Sequence, residues 1–260
     1  MSVLKGEGKV PILFGSTSIA VGTLTHRGYL ARPGLAGEWP TIIIVPSEWG
    51  VTSAMKDVCR RLARHGFAAV AVDLYRGKAP GRADDTDHAA AAARAVPAPR
   101  AANDLDAIVE FIENPAGFWS NAEQGFGVLA FGEGGRLAVP FAARHHPSPL
   151  ALVGTRLRQP APEVDREGEP LPVPEYPLTS IGSVIGPIFG ASGRDDETIP
   201  VDDVMELRSL VPHAEWAIYD GVGAHFADDY TAGYDDEATR DLLERLVSFF
   251  ERNLPGGSSE

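Results

Sequence analysis

One cysteine in 260 residues, Cys59, leaves no internal disulfide and no cysteine-built metal cluster. Positive charge is also scarce. The 23 Lys and Arg against 36 Asp and Glu give a net charge of −13, a field that repels phosphate backbones, so nucleic acid is not an expected partner. No apolar run is long enough to span a bilayer. The opening residues MSVLKGEGKVPILFG lack the apolar stretch and cleavage site of a secretory signal, so a cytoplasmic protein with no membrane partner is expected. The glycines of GFGVLAFGEGG do not spell G-x-G-x-x-G at a strand–helix turn, and no GK[ST] occurs; dinucleotide and P-loop readings lack support. His145 and His146 lie near a helix end with no acidic partner nearby, so no metal site is expected there.

What is present is an alternation of short buried strands and amphipathic helices. PTIIIVP and FAAVAVDLY are continuous apolar runs, as expected for strands covered on both faces. Between them, Met55, Val58, Cys59 and Leu62 mark one face of a helix over 52–65, which makes Cys59 a buried, inert thiol. SIAVGTLTHRGYLARP reads as a strand pair. Further helices are expected over 101–114, from the glycine turn to about 145 with a kink at Pro140, and over 236–252. LALVG, GPIFGAS and EWAIYDG complete the strands. The fold class is therefore α/β, a mostly parallel sheet with helices on both faces, in one domain over residues 1–254. The tail 255–260 reads as disordered. In such sheets ligands bind beyond the carboxyl ends of the strands, so the loops 46–51, 75–80, 131–135, 193–199 and 221–229 should share one rim. Residues 77–100 and 155–180 look structureless. HAAAAARA, within the first, reads as low-complexity helix or linker and not as a binding element. The region 155–185 is either a lid over the rim or a solvated excursion.

The stretch GVLAFGEGGRLA, residues 127–138, has the strand–turn–helix frame that carries a nucleophile in many hydrolases. Together with GYLARP, EWGVTSAMKDVCRRLARHGFAAVAVDLYRG, GRDDETIPVDDV and YDGVGAHFADDYTAGYDDEA, it makes the chain resemble the dienelactone hydrolase family, of α/β-hydrolase fold, over residues 23–252. The resemblance implies a Cys or Ser nucleophile, an Asp and a His in that order, and a glutamate near the nucleophile. It also implies small lactones or esters as substrates and no metal or organic cofactor. The family's elbow, G-F-C-x-G-G, falls on Ala130-Phe131-Gly132-Glu133-Gly134-Gly135, so the nucleophile's place is Gly132. Asp196 falls on the triad aspartate. The histidine's place falls on Ala224 and the glutamate's on Ser47, with His225 and Glu48 each one residue late.

Glycine has no side chain to attack a carbonyl, so an acyl-enzyme at residue 132 is excluded. The backbone N–H groups at Gly132-Glu133 still favour an anion. Three readings stay open. One is a repurposed pocket doing non-covalent acid–base chemistry of isomerase, lyase or cyclase type on a small organic molecule. The second is hydrolysis of a small ester or lactone by another nucleophile or an activated water. The third is a non-catalytic member binding a small molecule or a partner. The candidate catalytic residues are Asp196, His225 and Glu48, with Asp196–His225 as a general acid–base pair if the imidazole faces inward. Glu48 and Glu133 are a candidate carboxylate pair, which would raise one pKa. Gly132, Glu133, Ser47, Trp49, Tyr75, Arg76 and Phe226 are candidate binding residues. Arg76 would hold a substrate carboxylate or form a surface ion pair, Trp49 and Phe226 would supply apolar walls, and Phe131 would be wall or core. Oligomeric state is not legible.

Overall fold

A computed structural model describes residues 8, 10–21, 24–81, 85–115, 118–121, 125–145, 148–161, 164 and 167–254. The expected disordered tail and the bend of the first strand pair fall outside these residues, as does His146. The elements are β1 (Ile12–Val21), β2 (Leu24–Pro33), β3 (Thr41–Val45), α1 (Ser53–Arg64), β4 (Ala68–Val72), α2 (Thr86–Arg94), α3 (Ala98–Glu113), β5 (Phe126–Phe131), α4 (Gly134–Ala142), β6 (Leu150–Val153), β7 (Ile188–Gly193), α5 (Val201–Leu210), β8 (Glu215–Tyr219) and α6 (Asp236–Asn253). Eight strands form one sheet in the order β1-β2-β4-β3-β5-β6-β7-β8. The β1/β2 and β2/β4 pairs are antiparallel and the rest are parallel.

The continuous apolar strands sit where their composition requires. Ile42 and Ile44 of β3 face one core with α1 and α6, while Ile43 and Val45 face the other with α3 and α4. A strand covered on both faces has no polar side to show, which is why these runs do not alternate. Cys59 is fully buried in the α1 face, and desolvation pushes its thiol up to about 12, so it is inert as expected. Thr52 caps α1 by accepting from Met55 N, and Asp85 caps α2 by accepting from His88 N.

Three expectations are corrected. The stretch 77–100 is not structureless. Five consecutive alanines give α2 its helix propensity, and α3 already begins at Ala98. His145 does have an acidic partner, because packing of α3 against α4 brings Asp106 Oδ1 to 2.9 Å from its Nε2. The helix after the glycine turn also ends early, at Ala142. Pro140 lies in its last turn and lacks the N–H that would bond Arg136 O.

The α6 side of the core rests on aromatic contacts. Phe250 lies 5.2 Å from Phe249 and 6.4 Å from Phe67, measured between ring centroids, and its edge covers Gly127 of β5 so closely that a Cβ there would sit 2.6 Å away. Phe250→Ala should cost about 3–5 kcal/mol through lost burial and the cavity it leaves. Urea unfolding followed by circular dichroism measures this; a loss below about 1 kcal/mol would show that α6 contributes little to the core.

Candidate active site

The C-terminal ends of β3, β5, β7 and β8 converge on a cavity of about 380 Å³. At its floor is the turn between β5 and α4. Gly132 has φ +49°, the left-handed conformation, and its N–H donates to Val153 O. Gly134 lets α4 start against the end of β3, since a Cβ there would lie 2.6 Å from Val45 O. This close approach aims the first N–H groups of α4 at the loop that follows β3.

Glu48, in that loop, fills the space above Gly132. Its Oε2 accepts from Glu133 N at 3.2 Å and lies 2.6 Å from where a Cβ on residue 132 would be. A carboxylate therefore stands where a nucleophile's side chain would, held by the positive end of a helix. Among the described residues this is the only hydrogen bond to the Glu48 side chain. Ser47, the residue in register with the family glutamate, is buried and does not line the cavity.

Glu133 caps α4 without bonding it and turns upward. Both its carboxylate oxygens accept from the Tyr176 hydroxyl, at 2.9 and 2.8 Å. Burial raises the Glu133 pKa above the usual carboxylate range. The Tyr176 hydroxyl opposes this, the Glu48 charge adds to it, and Arg136 and Arg156 also oppose it. The expected carboxylate pair is thus close enough to interact, and Glu133 is the member whose pKa is raised. Arg136 is fully buried below it. Its guanidinium donates to Ala93 O and Val96 O and lies 5.9 Å from the Tyr176 ring, so it ties α2 and α4 to the 155–178 segment.

His225 lines the cavity. Its φ of +58° is one of three positive values among described non-glycine residues. Its carbonyl accepts from Asp228 N and Thr231 Oγ1, and its ring meets Trp49 edge-on with centroids 5.6 Å apart. Asp196 also lines the cavity, but its Oδ1 accepts from Thr198 N, Thr198 Oγ1 and Ile199 N. Among the described residues no hydrogen bond or ion pair joins Asp196 to His225. The expected pair shares a cavity and not a proton.

Of the remaining candidates, Trp49 lines the cavity, and four do not. Arg76 turns away to the buried Asp104, with its guanidinium 2.8 Å from Oδ1, so neither a substrate carboxylate nor a surface acid is its partner. Phe226 is core, 5.2 Å from the Tyr219 ring, and Phe131 is likewise core. Tyr75 is fully buried, its pKa raised by burial and by the nearby Glu48 and Glu133. The rim loops thus meet as expected except 75–80; just after it, Gly81 N donates to Trp49 O in the Glu48 loop. Several lining residues went unsuspected, among them Ala90 and Ala93, in a stretch read as low-complexity helix or linker, and Arg156 and Tyr176, in the stretch read as lid or excursion. Among the described residues no cluster of three or more His, Cys, Asp or Glu is placed to hold a metal, and no helix is long and apolar enough to cross a membrane.

The raised Glu133 pKa has a consequence for stability. Above pH 4.5 the unfolded chain has released a proton that the native state retains. Stability from this group is complete below 4.5 and is lost as pH rises through the native pKa. Glu133→Gln keeps an acceptor for Tyr176 but does not titrate. In denaturant titrations from pH 4 to 8, wild type should lose stability relative to this variant as pH rises; a difference that stays flat would rule out the raised pKa.

The comparisons with known proteins agree with this architecture. The profile described as the Dienelactone hydrolase family matches residues 26–254. A protein of Methylorubrum extorquens named "Putative carboxymethylenebutenolidase" is 28% identical over 256 residues, 96% of this chain and 81% of the relative. An Escherichia coli K12 protein of the same name is 28% identical over 248 residues, 93% of this chain and 88% of the relative. The crystal structure described as "Putative Dienelactone Hydrolase" from Klebsiella pneumoniae superposes with a TM-score of 0.80 at 27% identity, covering 93% of this chain and 99% of that one. By sequence profile and by fold, this chain belongs to the dienelactone hydrolase family.

Proposed function

We propose that this chain is an enzyme performing non-covalent acid–base chemistry, of isomerase or lyase type, on a small carbonyl-bearing molecule such as an unsaturated lactone. One observation carries the reading: the Glu48 carboxylate occupies the space over Gly132 and is bonded to the Glu133 N–H. A base fixed there replaces a nucleophile rather than assisting one, since residue 132 has no atom to form an acyl bond.

In the proposed reaction Glu48 takes a proton from the carbon next to the substrate carbonyl. Negative charge passes to the carbonyl oxygen, where His225 supplies a hydrogen-bond donor. Glu48 then returns the proton at a different carbon, which moves the double bond, or a group departs from the β carbon and completes an elimination. Glu133, its pKa raised by burial, sits beside Glu48 with its carboxyl on the Tyr176 hydroxyl. Asp196 shapes the wall through its turn at Thr198.

A second reading, hydrolysis by a water that Glu48 activates, is favoured by the names of the relatives. The same carboxylate would serve, so the products decide. α-Angelica lactone in D₂O separates the two. Isomerisation gives the β lactone with deuterium on carbon, and hydrolysis gives levulinate. The expected outcome is deuterated β lactone, a loss of about 10²–10⁴-fold in Glu48→Gln, and an unchanged intact mass throughout. A covalent adduct, or undiminished isomerisation in Glu48→Gln, rules out the proposal; levulinate alone selects the second reading. Gly132→Ser offers a complementary test. Its side chain would displace the Glu48 carboxylate from Glu133 N, so isomerisation should fall about tenfold or more. A gain in esterase activity without that fall would mean that Glu48 is a spectator.

A further inference from the structure

Residues 167–176 form one side of the cavity without being packed into the domain. None of them is buried, and Leu171, Pro172, Val173, Pro174 and Tyr176 line the cavity. Proline at 170, 172 and 174 leaves these positions with no N–H, so a continuous backbone ladder cannot hold the stretch and side chains must. Among the described residues, the bond from the Tyr176 hydroxyl to Glu133 is the only hydrogen bond from 170–176 to anything outside the 155–178 segment. Gln159, whose amide donates to Pro174 O, belongs to that segment itself. Beyond Tyr176 the chain is fixed again. Pro177 is buried, its carbonyl accepts from Ser180 N, and Ile181 is fully buried. Local opening is cheapest where few buried contacts and few hydrogen bonds must break, and this stretch has no buried residue and one such bond.

That bond has a rival. The single hydroxyl hydrogen of Tyr176 is shared between both Glu133 oxygens, at 2.9 and 2.8 Å, which leaves the carboxylate's further acceptor positions unused. Below it, the Nε of Arg136 is buried with no hydrogen-bond partner, 3.6 Å from Glu133 Oε2. A buried donor left unmet is costly, above all on a cation. A further approach of about 0.7 Å would bring the two atoms to ordinary hydrogen-bond length. Arg136 is not free to make it, since its Nη2 donates to Ala93 O and Val96 O. Glu133 is, because among the described residues its carboxylate accepts a hydrogen bond from Tyr176 alone. Turning down to Arg136 draws the carboxylate away from Tyr176.

We infer that residues 167–176 are a lid over the cavity, that the Tyr176–Glu133 bond is its latch, and that Arg136 Nε is the partner to which Glu133 turns when the lid is released. The exchange makes one charged hydrogen bond as it breaks another, the condition for two states of similar free energy. Access to the floor at Glu48 is thereby set by the residue beside Gly132. Release does not depend on which reaction Glu48 performs.

Cysteine reactivity reads the lid, because Cys59 is buried with its thiol pushed up to about 12 and leaves a silent background. Ala90→Cys puts a thiol in the cavity wall on α2, and Ala91→Cys puts one on the exposed side of the same helix. Labelling of each by fluorescein maleimide is followed by intact mass. Tyr176→Phe keeps the ring and removes the hydrogen bond, and should raise the rate at residue 90 at least fivefold. Glu133→Gln keeps an acceptor for Tyr176 and loses the charge that attracts Arg136; Arg136→Lys keeps a cation for Ala93 O and lacks Nε. Each should lower the rate at residue 90 at least threefold, and Glu133→Gln carries that arm alone should Arg136→Lys misfold by circular dichroism. The rate at residue 91 should not change in any of them. An unchanged rate at residue 90 in folded Tyr176→Phe overturns the lid, as does a parallel rise at residue 91, which marks general loosening of α2. Rates in Glu133→Gln that match wild type overturn the exchange with Arg136. No turnover enters the measurement, so the lid can fail while the chemistry proposed for Glu48 stands, and the reverse.

Discussion

The site depends on one contact, between the Glu48 carboxylate and the N–H of Glu133 at the start of α4. Three requirements meet there. The turn must place residue 132 in the left-handed region, which glycine allows. Residue 132 must also leave room for a carboxylate at 2.6 Å from its missing Cβ. Finally, α4 must begin close to the end of β3, which Gly134 permits. The turn frame that usually displays a reactive atom here displays a helix terminus, and the charge comes from a neighbouring loop.

Around that contact the electrostatics are uneven. Glu48 faces the helix N-terminus, whereas Glu133 is buried next to it and receives a tyrosine hydroxyl. Two acids that meet at one N–H are thereby placed in different surroundings, and burial raises the pKa of Glu133. Arg136 carries the consequence outward. Buried and bonded to the carbonyls at the end of α2, it couples the helix that forms one wall to the tyrosine that anchors the other. The cavity walls and the acid pair therefore share one support.

Glu48 and His225 illustrate how far linear register can be trusted. Both stand one residue after the positions that the resemblance implies, and both line the cavity. His225 has φ +58°, and near Glu48 the turn Ser47–Gly50 closes through Gly50 N donating to Ser47 O. Loops can shift by a residue because no ladder of hydrogen bonds fixes their register, in contrast to the strands that carry them. Asp196 kept its register and still does not meet His225, because the turn at Thr198 and Ile199 claims one of its oxygens.

The sequence by itself determined the strands, the parallel sheet with helices on both faces, the inert Cys59 and the position of the floor. Each of these follows from local periodicity or from a residue's absence, such as the missing side chain at 132. Only the tertiary structure decided which side chains share the cavity. Arg76 reads as a rim cation for a substrate carboxylate or a surface acid and is held by the buried Asp104 of α3; Phe226 reads as a wall and is core. The alanine run looked like filler because its composition records helix propensity and says nothing of what the helix faces. Long-range placement depends on how loops and helices pack across the sheet, and that packing is a property of pairs of segments distant in the chain, which no single stretch of residues encodes.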